Sequence, residues 1–297
     1  MSTLSRRVGA LAGTGVLLLA LTACAAEADT EATEPAETDD TAEEATEEVA
    51  DTALPTLTDG VLTIATGEPA YYPYVLEDDP TSGEGFESAV AYAVAAELGF
   101  APEDVEWVRT TFEAAIQPGP KNFDFNLQQY TITEERAENV DFSLPYYSTP
   151  QAVITNASSA AAEATSLADL QDLIIGAATG TTSFQAIEEI IAPTQGAQAF
   201  NDNDAAKLAL ETGQIDALVV DLPTAFYLVA VEITDGVIVG QLDGAVGVPD
   251  QWGFVLEKDS PLTDAVNDAL QTLTDNGTLA EITDTWLGAD QSAPVLQ

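Results

Sequence analysis

Arg136 closes the run Gln129-Tyr130-Thr131-Ile132-Thr133-Glu134-Glu135-Arg136, which gathers threonine hydroxyls, backbone amides and a guanidinium at one turn. That set of donors suits a carboxylate, because arginine offers a planar two-pronged fork and the hydroxyls and amides complete the shell. The competing reading pairs Arg136 with one of many surface acids. Basic groups are scarce, however: beyond the N-terminal Arg6 and Arg7 the chain holds only Arg109, Lys121, Arg136, Lys207 and Lys258. A second turn, Ala177-Ala178-Thr179-Gly180-Thr181-Thr182-Ser183, joins glycine to hydroxyls at the start of a helix, where an anion is favoured and where ordinary caps look alike. Asp221 ends the apolar run Asp216-Ala217-Leu218-Val219-Val220-Asp221 and can hold an ammonium group or serve as a cap. With 51 Asp+Glu against 7 Lys+Arg, the formal net charge of -44 repels nucleic acids and anionic membrane surfaces. The absence of histidine removes Ser-His and Cys-His nucleophiles and His-based zinc sites, and the single cysteine removes any intrachain disulfide. No metal or cofactor is called for.

Alternating strands and helices must position these turns. Val61–Ala65 reads as a strand, and Phe86, Val90, Val94 and Leu98 recur at helical spacing before Gly99. Val105–Trp107 is the next strand, Phe112–Gln117 a short helix, and Phe123–Tyr130 a third strand. A second block repeats the logic with strand Leu173–Ala177, helices Phe184–Ile191 and Ala205–Thr212, and strand Ile215–Val220. Strand Trp252–Leu256 and a helix through Val266, Leu270 and Leu273 to Gly277 finish the series. Helices between strands at these distances predict an α/β fold with mostly parallel sheets, in which ligands sit beyond the carboxyl ends of strands.

The N-terminus carries an export pattern. Arg6 and Arg7 precede a short apolar run, Gly9–Ala23, which ends in Leu21-Thr22-Ala23-Cys24 and resembles the bacterial lipobox. Residues 1–24 are read as a lipoprotein signal with Cys24 as the lipidated first mature residue. From Ala25 to Thr52 there are 12 acidic residues and no basic one, so residues 25–54 are expected to form an extended acidic tether. No later stretch reaches the length of a membrane-spanning helix. The product is expected outside the cytoplasm, held to the outer face of the cell membrane by lipid.

Thr131–Tyr147, TITEERAENVDFSLPYY, resembles the most recognisable signature of the bacterial solute-binding proteins of family 3, which serve ABC importers for polar amino acids. The resemblance runs over most of residues 60–289. It takes in Gly67-Glu68-Pro69-Ala70-Tyr71-Tyr72-Pro73-Tyr74, Gly85-Phe86, Gly180-Thr181-Thr182, Asp216–Asp221, Trp252-Gly253-Phe254, Asn276-Gly277-Thr278 and Trp286-Leu287-Gly288. It implies a two-lobed periplasmic-binding-protein-like fold of type II with two hinge crossings, near Tyr147–Pro150 and Gly247–Gln251. Lobe one would be residues 55–149 and 248–289, lobe two 150–247, and 290–297 a C-terminal tail. By matching positions, Arg136 would grip the ligand α-carboxylate with help from Thr131 and Thr182. Asp221 and the main-chain carbonyl of Gln129 would receive the α-ammonium, Tyr71 and Phe112 would stack on the ligand side chain, and Glu68 would present an acidic group. Phe112 reads equally well as core. The implied partners are an amino-acid-like ligand and the permease subunits of an ABC importer, with the protein a monomer.

Departures from the family pattern bear on the ligand. Gly85-Phe86-Glu87-Ser88 stands where many members carry an Asp-rich version, Gln128 and Gln129 replace small residues, and Ala178 and Val220 stand where some members place charged or histidine side chains. With Glu68 and Asp221 as the assigned acids, a zwitterionic or cationic amino acid is favoured over a dicarboxylate; Arg109, near a strand end, argues the other way. A different class of function, dehydration of a cyclic acid on the same fold, would need a general acid, and Glu68 is its candidate.

Overall fold

A computed structural model describes residues 54–242, 249–288 and 292–297. The signal, Cys24 and nearly all of the tether lie outside the described residues, as do Gly247 and Val248 of the expected second crossing. The first lobe opens with β1 (Leu62–Thr66), α1 (Phe86–Glu97), β2 (Val105–Arg109) and α2 (Phe112–Ala115). It continues through β3 (Phe125–Asn126), α3 (Glu134–Ala137) and β4 (Val140–Phe142). Alternation along β1 explains its two cores: Leu62 and Ile64 face α1, whereas Ala65 faces Phe123, Tyr130 and Val255. Gly85 starts α1 at φ 103, and a Cβ there would lie 2.4 Å from the carbonyl oxygen of Tyr74, so only glycine fits.

The chain leaves this lobe through β5 (Tyr147–Thr149) and enters β6 (Gln151–Asn156). The second lobe adds α4 (Leu167–Leu170), β7 (Ile175–Ala178), α5 (Thr182–Ala186), β8 (Gln198–Phe200) and α6 (Asn203–Glu211). It ends with β9 (Ala217–Asp221), α7 (Leu222–Tyr227) and β10 (Gly236–Leu242); α5 and α7 each run on into a π turn, Ile187–Ile191 and Leu228–Glu232. β6 and β9 are buried on both faces, with Val153 and Val219 in one core and Ile154 and Leu218 in the other. The return passes through β11 (Asp250–Trp252) into β12 (Val255–Glu257), α8 (Thr263–Asp275), α9 (Thr278–Trp286) and β13 (Val295–Leu296).

The first sheet has the order β2-β1-β3-β12-β4, with β1 parallel to β2 and β3, and β12 antiparallel to its neighbours. The second has the order β13-β10-β6-β9-β7-β8, with β7 parallel to β8 and β9, and β6 antiparallel to β9 and β10. Between them β5 and β11 form a two-stranded antiparallel ribbon, pairing Tyr147 with Trp252 and Thr149 with Asp250. The architecture is the two-lobed α/β fold of type II, with two crossings.

Two elements differ from the sequence reading. The expected strand Phe123–Tyr130 shrinks to Phe125–Asn126, and beyond it Gln129 at φ 52 leaves the extended region. The expected strand Trp252–Leu256 divides at Gly253, whose N–H bonds to Tyr130 O at 3.0 Å as the chain passes from ribbon to sheet. In the stretch read as a C-terminal tail, Val295–Leu296 adds an edge strand to the second sheet and buries Leu296.

Candidate functional site

A cavity of about 370 Å3 lies where the carboxyl ends of β1, β7 and β9 face one another across the two lobes. That is within the range of roughly 300–1,000 Å3 usual for small-molecule sites. All eight residues singled out from sequence line it: Glu68, Tyr71, Phe112, Gln129, Thr131, Arg136, Thr182 and Asp221. Contacts between lobes close it on several sides. Tyr74 Oη and Thr224 Oγ1 are 2.8 Å apart, Thr131 Oγ1 and Thr182 Oγ1 are 3.2 Å apart, and Arg136 donates from Nη2 to Gly180 O at 2.9 Å.

Arg136 owes its position to α3. Thr133 caps that helix by accepting from the Arg136 N–H at 3.2 Å, which turns the side chain into the cavity wall. Its Nη1 donates to Thr131 O at 2.7 Å, and the guanidinium lies 5.3 Å from the ring centroid of Phe112. Phe112 in turn stacks on Tyr130 at 4.6 Å. It lines the cavity, serves as the platform for Arg136, and packs partly buried against the core around Tyr130. The guanidinium is buried, and among the described residues no carboxylate pairs with it. Burial lowers its pKa, offset by the fields of Tyr130, Asp250 and Asp221, yet an arginine stays charged.

Carboxyl groups gather around Asp221 and Glu87. Asp221 Oδ1 accepts from Gln151 Nε2 at 2.6 Å. Burial and the neighbouring carboxylate of Asp250 push its carboxyl up to about 8, against the pull of Gln151 and Arg136. Glu87, in the first turn of α1, is 1 % exposed and accepts from the Gln129 N–H at 2.8 Å, from the Gln129 side-chain amide and from the Tyr146 hydroxyl. Burial outweighs these bonds and pushes Glu87 up to about 7. Glu68, Glu113 and Asp202 also line the cavity, as does Tyr71, whose buried hydroxyl lies beside the Asp204 carboxylate. Burial first, and then the charges of Asp204 and Asp202, raise its pKa. Arg109 lies outside the cavity lining; it bonds to Gly67 O at 2.6 Å and pairs with Asp78 at 2.7 Å.

The cavity wall thus carries an unpaired guanidinium together with a set of carboxyls, an arrangement for a small dipolar molecule. The family model for bacterial extracellular solute-binding proteins, family 3, matches residues 62–289. The chain belongs to that family. It is 28% identical over 228 residues to the L-cystine-binding protein TcyJ of Escherichia coli (strain K12), covering 75% of this chain and 81% of that one. It is 29% identical over 221 residues to the glutamate-binding protein GluB of Corynebacterium glutamicum, covering 72% and 73%. Among solved structures, an ancestral arginine-binding protein bound to glutamine aligns with a TM-score of 0.65 at 29% identity, covering 78% of this chain and 100% of that one. The ancestral amino acid-binding protein AncCDT-1, described as a precursor of cyclohexadienyl dehydratase, aligns with a TM-score of 0.62 at 30% identity, covering 77% and 95%. Among the described residues of this family 3 protein, no helix is long and apolar enough to cross a membrane, and no cluster of potential metal ligands occurs.

Sequence reading missed three residues of this solute-binding protein's site. Glu87 was noted only as a departure in the opening of α1, and its contacts with Gln129 and Tyr146 span 42 and 59 positions. Asp250 opens β11 of the ribbon and Gln151 opens β6 just beyond it, and their side chains meet at 2.8 Å across 99 positions. The one local signal was a polar residue beside each hinge strand.

Proposed function

We propose that this chain is the substrate-binding component of an ABC importer, which captures an amino acid or similar small zwitterion between its lobes and delivers it to permease subunits. The observation that carries this reading is Arg136, a buried guanidinium on the cavity wall with no carboxylate partner among the described residues. A ligand carboxylate supplies that partner, and Asp221, with the Gln129 carbonyl, takes the ammonium. Thr131 and Thr182 flank the carboxylate pole, Tyr71 and Phe112 bound the side-chain space, and Glu68 adds negative charge beyond them. That charge supports a zwitterionic or cationic ligand over a dicarboxylate. We assign lobe one to 55–149 and 248–289 and lobe two to 150–247. Lipidation at Cys24, the acidic tether, attachment outside the cytoplasm and a monomeric state complete the proposal.

A thermal-shift screen over amino acids, betaines and opines tests the reading, because a ligand that binds only the native state raises the melting temperature by mass action. We expect at least one amino acid to saturate the protein and leave it chemically unchanged. A screen without any stabilising zwitterion would remove the proposal. Turnover of a cyclic acid would favour the dehydratase reading instead, with Glu68 as its general acid.

A further inference from the structure

The donors around the carboxylate pole are already spoken for. Asp250, on β11, brings Oδ2 to 2.6 Å from Thr182 Oγ1 and 3.1 Å from Thr131 Oγ1, and to 2.8 Å from Gln151 Nε2. A carboxylate can only accept, and each threonine hydroxyl carries a single proton. Thr182 therefore donates to Asp250, and Thr131 donates either to Asp250 or to Thr182 Oγ1 at 3.2 Å. In both cases neither hydroxyl has a proton left for the cavity. Gln151 is committed in the same way. Its two amide protons go to Asp221 at 2.6 Å and Asp250 at 2.8 Å, and its carbonyl accepts from Ser183 Oγ at 2.6 Å. Asp250 does not itself line the cavity, whereas Thr131, Thr182 and Ser183 do.

We propose that Asp250 is a positioning residue that sets ligand specificity, by holding the protons of Thr131 and Thr182 and so presenting both hydroxyls to the cleft as acceptors. The inference rests on the amino-acid reading of the site. The ligand α-carboxylate then depends on Arg136 and main-chain N–H groups, and gains nothing from the two threonines unless they turn away from Asp250. Turning them would strip hydrogen bonds from a part-buried carboxylate, which is unfavourable. A neutral carboxamide in the same place could donate to the hydroxyls, which narrows the preference for the acid that Arg136 sets. Asp250 also joins Thr131 of one lobe to Thr182 of the other beside the hinge, so this polarity is set wherever the lobes are closed.

The test is calorimetric titration of wild type and Asp250→Asn with arginine, glutamine and glutamate, each beside its α-carboxamide. For the tightest-binding acid, we expect the preference for acid over carboxamide to rise at least tenfold in Asp250→Asn, because a nearby negative charge is gone, and to rise further in Asp250→Ala, which has no acceptor and releases the hydroxyl protons. A hinge residue with only a structural role would change both affinities by the same factor. A preference unchanged within about threefold, with the acids still binding, would overturn the assignment and leave the amino-acid reading intact. Failure of all three acids to bind either protein would sink that reading, and this one with it. Should Asp250→Asn not fold by circular dichroism, Asp250→Ala removes both the charge and the acceptor, and carries the same expectation.

Discussion

Arg136 is the side chain whose removal separates a binding site from a surface ion pair. Truncating one member of a buried charged pair costs on the order of 2–5 kcal/mol, or about 30-fold to several-thousand-fold in affinity. A surface pair contributes roughly 0–1 kcal/mol to stability and almost nothing to binding. We expect Arg136→Ala to fold normally by circular dichroism and to lose most calorimetric binding of the best amino acid. Arg136→Lys should recover only part, since an ammonium reproduces neither the fork to Thr131 and Gly180 nor the stacking on Phe112. Binding by Arg136→Ala within about twofold of the parent would remove the assignment. Glu87 makes a different prediction, in pH. Its native carboxyl titrates near 7 against an ordinary value of 4.5, so between these the native state binds the extra proton. Its contribution is fully present below about pH 4.5 and is lost as pH rises through about 7, on the order of 3 kcal/mol in all. Glu87→Gln keeps an acceptor for Gln129 and Tyr146 and cannot ionise. Urea unfolding at pH 5 and pH 8 should show a smaller fall in stability for the variant than for wild type, and equal falls would exclude Glu87 as the titrating group. Arg136 was legible in the sequence because bases are so rare here. Glu87 was not, because its environment is made by residues far along the chain.

Elements were legible where their own residues carry the period. The spacing of Phe86, Val90 and Val94 marks α1, and Gly99 at φ 88 ends it as expected. β3 is too short to have a period, and β6 offers only a brief apolar run after Pro150, so neither could be delimited from sequence alone. α7 carried a signal that was passed over: Pro223 in the first turn after Asp221 marks a helix start. The start of α1 makes the strongest demand of any element. The Phe86 and Glu87 N–H groups bond to Pro73 O at 2.8 Å and Tyr74 O at 3.0 Å, so Gly85 is pressed against that loop. Gly85→Ala must resolve a 2.4 Å contact with backbone at a φ that side chains resist, and is expected to lose more than about 2 kcal/mol. Gly99→Ala meets the same φ penalty with nothing within 4 Å of its Cβ, and is expected to lose only about 1 kcal/mol. Denaturant midpoints measured side by side check the difference; equal losses would mean that φ alone, and not the Tyr74 contact, sets the cost.

At the scale of the whole molecule, closure must work against charge. From residue 55 onward the chain carries 39 acidic and 5 basic residues, so the two lobes repel each other whenever they meet. Among the described residues the contacts that oppose this include Tyr74 with Thr224, Arg136 with Gly180, Thr131 with Thr182, and the rings of Tyr72 and Tyr227 at 4.8 Å. A ligand bridging Arg136 on one lobe and Asp221 on the other adds contacts that exist only when closed, and shifts the population by that difference. Salt acts on the other side of the balance. Raising ionic strength from about 0.1 M to about 1 M shortens the screening length from roughly 10 Å to roughly 3 Å, which weakens repulsion between exposed charges far more than it weakens bonds inside the cleft. Small-angle scattering should therefore show the radius of gyration of the ligand-free protein falling as salt rises at constant pH. With saturating amino acid the radius should be small at low salt and nearly independent of salt thereafter. An unchanged radius on ligand saturation at low salt would count against closure, and a salt response identical with and without ligand would place the charge effect in the tether instead of the lobes. Repeating the measurement on a chain beginning at Leu54 isolates the two-lobed body.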